Sequence, residues 1–142
     1  MFKEFFCALA ICFGHAVSAQ TGKALVEIEN IQVSKGGNIA AAVFDSKNFL
    51  KFGKQVVSAT KEVTSTKMVF VFENLPPGEY AFMAFHDIDR NNEMKKNIIG
   101  YPKEPFGISN NPSLLFGPPS FNESKVRVTA NKTTALKIRL RQ

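Results

Sequence analysis

The chain has 142 residues, of which 44% are hydrophobic and 21% are charged, and its formal net charge is +6. This length suits one domain, and an apolar fraction that includes fourteen phenylalanines excludes an intrinsically disordered chain. Beyond the N-terminus, no apolar run is long enough to cross a bilayer. The composition therefore predicts one folded domain and names no activity.

The N-terminal segment is typical of a secretory signal peptide. A short polar start precedes an apolar run from Phe5 to Val17, and Val17-Ser18-Ala19 provides the residues that a signal peptidase requires before its cut. We predict cleavage after Ala19, so residues 1–19 are the signal peptide and residues 20–142 form the exported domain. The product is expected in the periplasm or outside the cell, with no transmembrane segment after cleavage.

Cleavage would also remove both cysteines, Cys7 and Cys12. The mature chain would then have no disulfide, no thiolate nucleophile and no zinc site of the Cys/His type. Its stability must come from its apolar core.

Residues 20–142 show the alternation typical of β-strands. A capped helical turn or short helix is predicted at 45–53. The apolar runs 67–72 and 79–85 are typical of central strands covered on both faces. With tight turns and no long helical period, the pattern predicts an all-β fold: a single seven-stranded antiparallel β-sandwich, Ig-like or prealbumin-like. The predicted strands are 23–30, 38–44, 55–64, 67–72, 79–85, 125–130 and 134–140.

One long segment, from Asp87 to Phe121, breaks this pattern of strands. It is rich in glycine and proline, but large apolar residues recur along it every few positions. A loop of this length is usually either functional or disordered. Because the apolar residues would otherwise be exposed, we predict one long ordered loop packed over an edge or end of the sandwich.

Four motifs in order along this segment resemble a bacterial family called domain of unknown function 2141. The motifs are His86–Asn92, Gly100–Glu104, Phe106–Asn111 and Gly117–Phe121, and the match extends over nearly all of the mature chain. The resemblance implies a single exported β-sandwich whose activity is not established.

The first motif has the spacing of a calcium-binding loop. Asp87, Asp89 and Asn91 alternate as the first three oxygen ligands of such loops do. Lys95, however, stands where the family pattern has Asp, and a lysine cannot be a ligand. No other cofactor is indicated, and the alternative interpretation is a turn closed by side-chain to backbone hydrogen bonds.

His86 is the single histidine of the mature chain. Beside Asp87, and with Glu104 in the same loop, it defines an alternative hypothesis of a hydrolase-like enzyme. Ser109 and Ser120 are the nearby hydroxyl groups, but neither lies in the pattern of an activated nucleophile. A histidine at a strand end more often fastens the loop that follows.

The last two predicted strands, if they form a hairpin, place five basic side chains on one outer face. Such a face attracts anionic envelope polysaccharide or lipid head groups, although it is also a common solvated surface that discourages edge pairing. Nucleic acid is not expected, because the chain is exported and lacks a binding motif. The five residues are Lys125, Arg127, Lys137, Arg139 and Arg141.

Three hypotheses of function follow from these observations. The favoured one is a non-catalytic binding or envelope-associated module that uses the long loop, the basic face or both. The alternatives are an enzyme centred on His86, Asp87 and Glu104, and a binding domain stabilised by calcium.

Overall fold

The computed structural model describes residues 18–94, 96, 98 and 101–141, and nearly all of its regular structure is β-strand. Two short helical segments accompany the strands, a 3-10 turn at Val33–Lys35 and the helix α1 at Phe121–Ser124. The described residues include no helix with the length and apolar character that crossing a membrane requires. The strands are β1 (Gly22–Glu29), β2 (Asn38–Phe44), β3 (Val57–Glu62), β4 (Met68–Leu75), β5 (Gly78–Asp87), β6 (Phe106–Ile108), β7 (Lys125–Val128) and β8 (Thr133–Arg139).

The strands form two sheets. The three-stranded sheet has the order β4-β1-β8, and the five-stranded sheet has the order β3-β2-β5-β6, with β7 also paired to β5. All the pairs are antiparallel except β1 with β8, which is parallel. The structure therefore corrects two expectations: the described residues form eight strands rather than seven, and the pairing is not wholly antiparallel.

The expected hairpin of the last two strands is also wrong. β7 pairs with β5 in one sheet, whereas β8 pairs with β1 in the other. The turn between them crosses from sheet to sheet, with Asn131 in a left-handed conformation (φ 59°). Two backbone hydrogen bonds fasten this turn to the start of β1, from Asn131 N to Thr21 O and from Lys23 N to Lys132 O. The crossing places β8 beside β1 instead of beside β7.

The main core lies between the two sheets. It is built from the alternating inward residues of both, among them Val26 and Ile28 of β1, Phe70 of β4 and Phe82 of β5. Burial of each large apolar side chain contributes about 1.5–3 kcal/mol to folding. The described residues include no cysteine and so no disulfide, and burial in this core is their main source of stability.

The two apolar runs differ in their surroundings. β5 is buried on both faces along most of its length, as predicted. β4 is an edge strand whose Val69 and Val71 are exposed, so the expectation of a strand covered on both faces is wrong there. The reason is that the outer face of the three-stranded sheet stays open.

The predicted helical turn at 45–53 is a series of turns and not a helix. Asp45 does accept a hydrogen bond from Asn48 N at 2.8 Å, as a helix cap would. Leu50 and Gly53, with φ of 59° and 86°, interrupt any continuation. The α-helix that forms is α1, where Ser120 and Glu123 make a reciprocal capping box.

The long segment 87–121 contains the eighth strand, β6, which pairs with β5. Phe106 and Ile108 of β6 are buried, as expected for a packed segment. The expectation fails for four other apolar residues, which are exposed: Ile98, Tyr101, Leu115 and Phe116. Residues 1–17 of the predicted signal peptide, Lys95, Ile99 and Gly100 lie outside the described residues.

Candidate functional site

The predicted His86 lies at the end of β5 and is completely buried. Its backbone N–H donates to Pro105 O at 2.8 Å, and its ring Nε2 lies 2.6 Å from Gly36 O. A carbonyl oxygen only accepts, so Nε2 carries the hydrogen in this contact. Nδ1 has no hydrogen-bond partner within the described residues. The histidine thus ties the turn before β2 to the end of β5.

Asp87, the next residue, closes the turn that follows β5. Its Oδ1 accepts from Asn91 N at 3.1 Å, and its Oδ2 accepts from Asn92 N at 2.8 Å. Asn91 Oδ1 in turn accepts from Glu93 N at 2.8 Å. Asn92 has the left-handed φ of 60° that the sequence allows for it. This is the turn closed by side-chain to backbone hydrogen bonds that was the alternative to a calcium loop.

Three carboxylates meet beside this turn. One carboxylate oxygen from each of Asp87, Asp89 and Glu104 lies within 4.8 Å of the other two, with Asp87 and Glu104 buried and Asp89 exposed. Asn91, the third residue of the predicted ligand set, lies beside this group, since its Nδ2 donates to Asp89 Oδ2 at 3.4 Å. Carboxylate oxygens suit a hard cation such as calcium. Glu104, which the sequence did not assign to the metal-ligand set, thus lies together with Asp87 and Asp89, and calcium binding stays a prediction.

The two serines considered as nucleophiles both have structural contacts. Ser109 is buried, its Oγ donates to Ser124 O, and it accepts from Phe82 N at 3.0 Å. Ser120 is the N-cap of α1. The hydroxyl groups therefore join β5, the segment after β6 and α1.

The five basic residues do not share the face of one hairpin, because their strands belong to different sheets. Lys125 and Arg127 form ion pairs with Glu79 at 3.3 and 3.1 Å. Lys137 lies 3.9 Å from Glu29, and Arg141 donates to Asn111 O at 2.8 Å. The backbone N–H of Arg139 donates to Asn111 Oδ1 at 2.9 Å. Three of the five side chains, those of Lys125, Arg127 and Lys137, thus lie close to a carboxylate.

A groove lies on the outer face of the five-stranded sheet. The small side chains of Ala40 and Ala42 on β2 form its floor. These two residues pair with Phe85 and Met83 of β5. Small side chains beside large ones leave a space of about 500 Å³. Phe52 and Met94 stand at its sides, on the turns 45–56 and 88–94.

A second cavity of about 340 Å³ shares Phe52, Met83, Met94 and Lys96 with the first. It runs between Tyr101, the β6 residues Phe106 and Ile108, and the segment Leu114–Pro119. Lys96 Nζ lies 4.9 Å from the centre of the Phe52 ring, at the junction of the two cavities. We call the two cavities together the outer groove; apolar side chains line much of it, and Lys96 and Glu93 are its charged residues within the described part of the chain.

Comparison with known protein families assigns the chain to one of them. A family model described as an uncharacterized protein conserved in bacteria, DUF2141, matches residues 26–136. The chain belongs to the DUF2141 family. No curated protein and no solved structure matches it.

The part of the chain that matches DUF2141 contains the His86–Asp87 turn, the carboxylate cluster and the outer groove. The sequence indicated the first two through their polar motifs. It did not indicate the groove, although one signal was available: 38–44 is small and apolar on both faces, as in a strand that has cover on its outer side. Which loops provide that cover is a matter of tertiary structure.

Proposed function

We propose that this DUF2141 protein is an exported, non-catalytic binding module and that the outer groove is its binding site. In this proposal, residues 1–19 direct export to the periplasm or beyond, and the two sheets are a β-sandwich of the Ig-like or prealbumin-like kind. The sheets supply a rigid base, while the loops after β2, β5 and β6 supply the ligand contacts.

The observation that carries the proposal is the outer groove itself. Binding sites for small molecules are concave and mostly apolar, with few polar groups that fix orientation. Phenylalanine, methionine and alanine side chains line the outer groove, and its polar groups include Asn92, Glu93 and Lys96, of which Lys96 is the one described cation. An elongated ligand with an apolar body and an acidic group fits this chemistry.

The hydrolase-like alternative has less support from the geometry. Catalysis by His86 requires its ring to face a substrate together with a nucleophile or water. The ring instead contacts Gly36 O, and His86 lies outside the residues that line the outer groove. The carboxylate cluster supports a second candidate function, that of a binding domain stabilised by calcium, and thermal melts with and without calcium test it.

The experiment measures dye binding before and after a large side chain is placed on the floor of the groove. Anilinonaphthalene sulfonate, an apolar dye with one negative charge, should bind the wild-type protein with increased fluorescence. Ala42→Phe places a large ring in the first cavity, and we expect dye affinity to fall at least about tenfold through lost apolar contact.

A matched control separates this effect from a general change of surface. Val71→Phe adds the same ring to an exposed position on the three-stranded sheet and should leave dye binding unchanged. Thermal melts of both variants check that the fold is intact. Equal dye affinity for wild type and Ala42→Phe would contradict the proposal.

A further inference from the structure

Two loop tips beside the outer groove expose their apolar residues to solvent. The first is Leu115–Phe116, which occupies the two central positions of a turn closed by a hydrogen bond from Gly117 N to Leu114 O. Leu115 is 85% exposed and Phe116 is 101% exposed. The second is Ile98, which is 106% exposed and lies between Lys96 and Pro102, two residues paired as an isolated β-bridge.

The two tips belong to one surface. Leu114 and Gly117, on either side of the first tip, line the same cavity as Lys96 and Tyr101, on either side of the second. Single exposed apolar residues are ordinary, whereas large ones at neighbouring tips mark an interaction site. The segment Ser109–Ser120, which carries the first tip, contains no charged residue.

The charges around the tips are mostly positive. Five lysines lie in the loops that border the outer groove, and no ion pair within the described residues involves any of them. Among the acidic residues of these loops, Asp45 accepts from Asn48 N and Glu104 is buried, whereas Asp89 and Glu93 are exposed. The five lysines therefore outnumber the exposed carboxylates. The five lysines are Lys47, Lys51, Lys54, Lys96 and Lys103.

We infer that these tips dock the protein on an anionic phospholipid bilayer. Phe116, Leu115 and Ile98 would enter the boundary between head groups and acyl chains, and the lysines would remain among the phosphates. Apolar burial and attraction to anionic lipid act together in binding of this kind. The inference names a partner for the loops of the proposed binding site, and the open groove would then face the lipid surface.

The test is binding to vesicles. The protein is recovered as exported, so that wild type and variants share one N-terminus, and it is mixed with vesicles of phosphatidylglycerol and phosphatidylcholine or of phosphatidylcholine alone. Wild type should sediment with the mixed vesicles, less with pure phosphatidylcholine, and less at high salt. The double variant Leu115→Ser/Phe116→Ser should bind the mixed vesicles at least about tenfold more weakly.

The control is Val69→Ser/Val71→Ser, which removes two exposed apolar residues from β4 on the other sheet. It should bind like wild type. Ile98→Ser is the second test variant. It replaces Leu115→Ser/Phe116→Ser in the vesicle experiment if those two substitutions alter the thermal melt. Unchanged binding of the tip variants, or no binding of wild type, would overturn the inference.

Two further outcomes are informative. Sedimentation with an insoluble anionic polysaccharide, unaffected by the tip substitutions and without vesicle binding, would also overturn the inference. The dye experiment on Ala42→Phe does not involve vesicles. A failure of lipid docking therefore does not contradict the outer groove as a binding site. A failure of dye binding does not contradict lipid docking, which the vesicle experiment tests.

Discussion

At the scale of single residues, the buried polar side chains at the end of β5 hold backbone segments together. His86 joins the turn before β2, and Asp87 closes the turn after β5. Gly37 makes this junction close, because a Cβ at this position would contact Asp87 O and lie 2.7 Å from Ile88 Cα. His86 is completely buried within this packed junction.

We predict that Gly37→Ala lowers the free energy of unfolding by more than about 2 kcal/mol, through backbone strain at φ +77° and the steric conflict with Asp87 and Ile88. Gly53→Ala is the matched control, since Gly53 has φ +86° and nothing within 4 Å of an added Cβ. It should cost about 1 kcal/mol from strain alone. Denaturant unfolding of both variants measures the difference, and equal losses would show that the junction is not tight.

Calcium tests the carboxylate cluster. We predict that calcium does not raise the melting temperature of the wild type, because Asp87 already accepts two backbone hydrogen bonds and Lys95 stands where the family pattern has Asp. Lys95→Asp should melt at a higher temperature with calcium than with chelator, as binding to the folded state alone requires. A response of the wild type would instead identify a working calcium site.

At the scale of elements, the sequence predicts strands well where four or more residues alternate or run apolar. β1, β2 and β5 match their predicted ranges closely for this reason. β6 was missed because Phe106–Ile108 is too short to show a period and lies among prolines and glycines. β7 and β8 lie in different sheets because the turn at Asn131 crosses between them. No local sequence pattern predicts that crossing.

The helix α1 also had a signal in the sequence, Ser120-x-x-Glu123, which is the pattern of a capping box. The hydrogen bond from Ser120 N to Glu123 lowers the pKa of the Glu123 carboxyl, and the Ser120 hydroxyl lowers it further. A lowered pKa in the folded state means that the cap stabilises above the ordinary pKa of glutamate. This contribution is lost as the pH falls through the lowered value.

We predict that an NMR titration finds the Glu123 pKa below the ordinary value for glutamate. In Ser120→Ala the hydroxyl is absent while the backbone N–H remains, so the pKa should rise part of the way back. Glu73, an exposed glutamate on β4, serves as the reference carboxyl in both proteins. A Glu123 pKa that is the same in both proteins would show that the hydroxyl does not contribute.

At the scale of the whole molecule, the polar motifs drew attention to side chains that turned out to fasten loops, while the outer groove arises from elements distant in sequence. The alanines of β2 form its floor, and its sides come from segments near residues 52, 94 and 116. Local patterns cannot show this arrangement, since it depends on which loop covers which face. The sequence predicted that the apolar residues of the loop tips would be packed, because local patterns do not show which loop covers which face.

The predicted export is a property of the whole chain. Expressed in a bacterium with its native N-terminus, the protein should be recovered outside the cytoplasm beginning at Gln20, because Ala19 is the small residue before the cut. Mass spectrometry of the recovered protein checks the position. Ala19→Arg should prevent cleavage there, with Glu27→Arg, a change within β1, as the control for added charge. A product that keeps Met1, or one lipidated at Cys12, would contradict the prediction.

The most direct measurement of the central claim is to locate a bound apolar ligand on the folded protein. Amide chemical shifts recorded by NMR during addition of anilinonaphthalene sulfonate report which strands it touches. Binding in the outer groove predicts changes at Ala40, Ala42 and Met83 and along β6, with β1, β4 and β8 little affected. Changes confined to β4 and its exposed Val69 and Val71, or no saturable change at all, would contradict the assignment of the outer groove as the binding site.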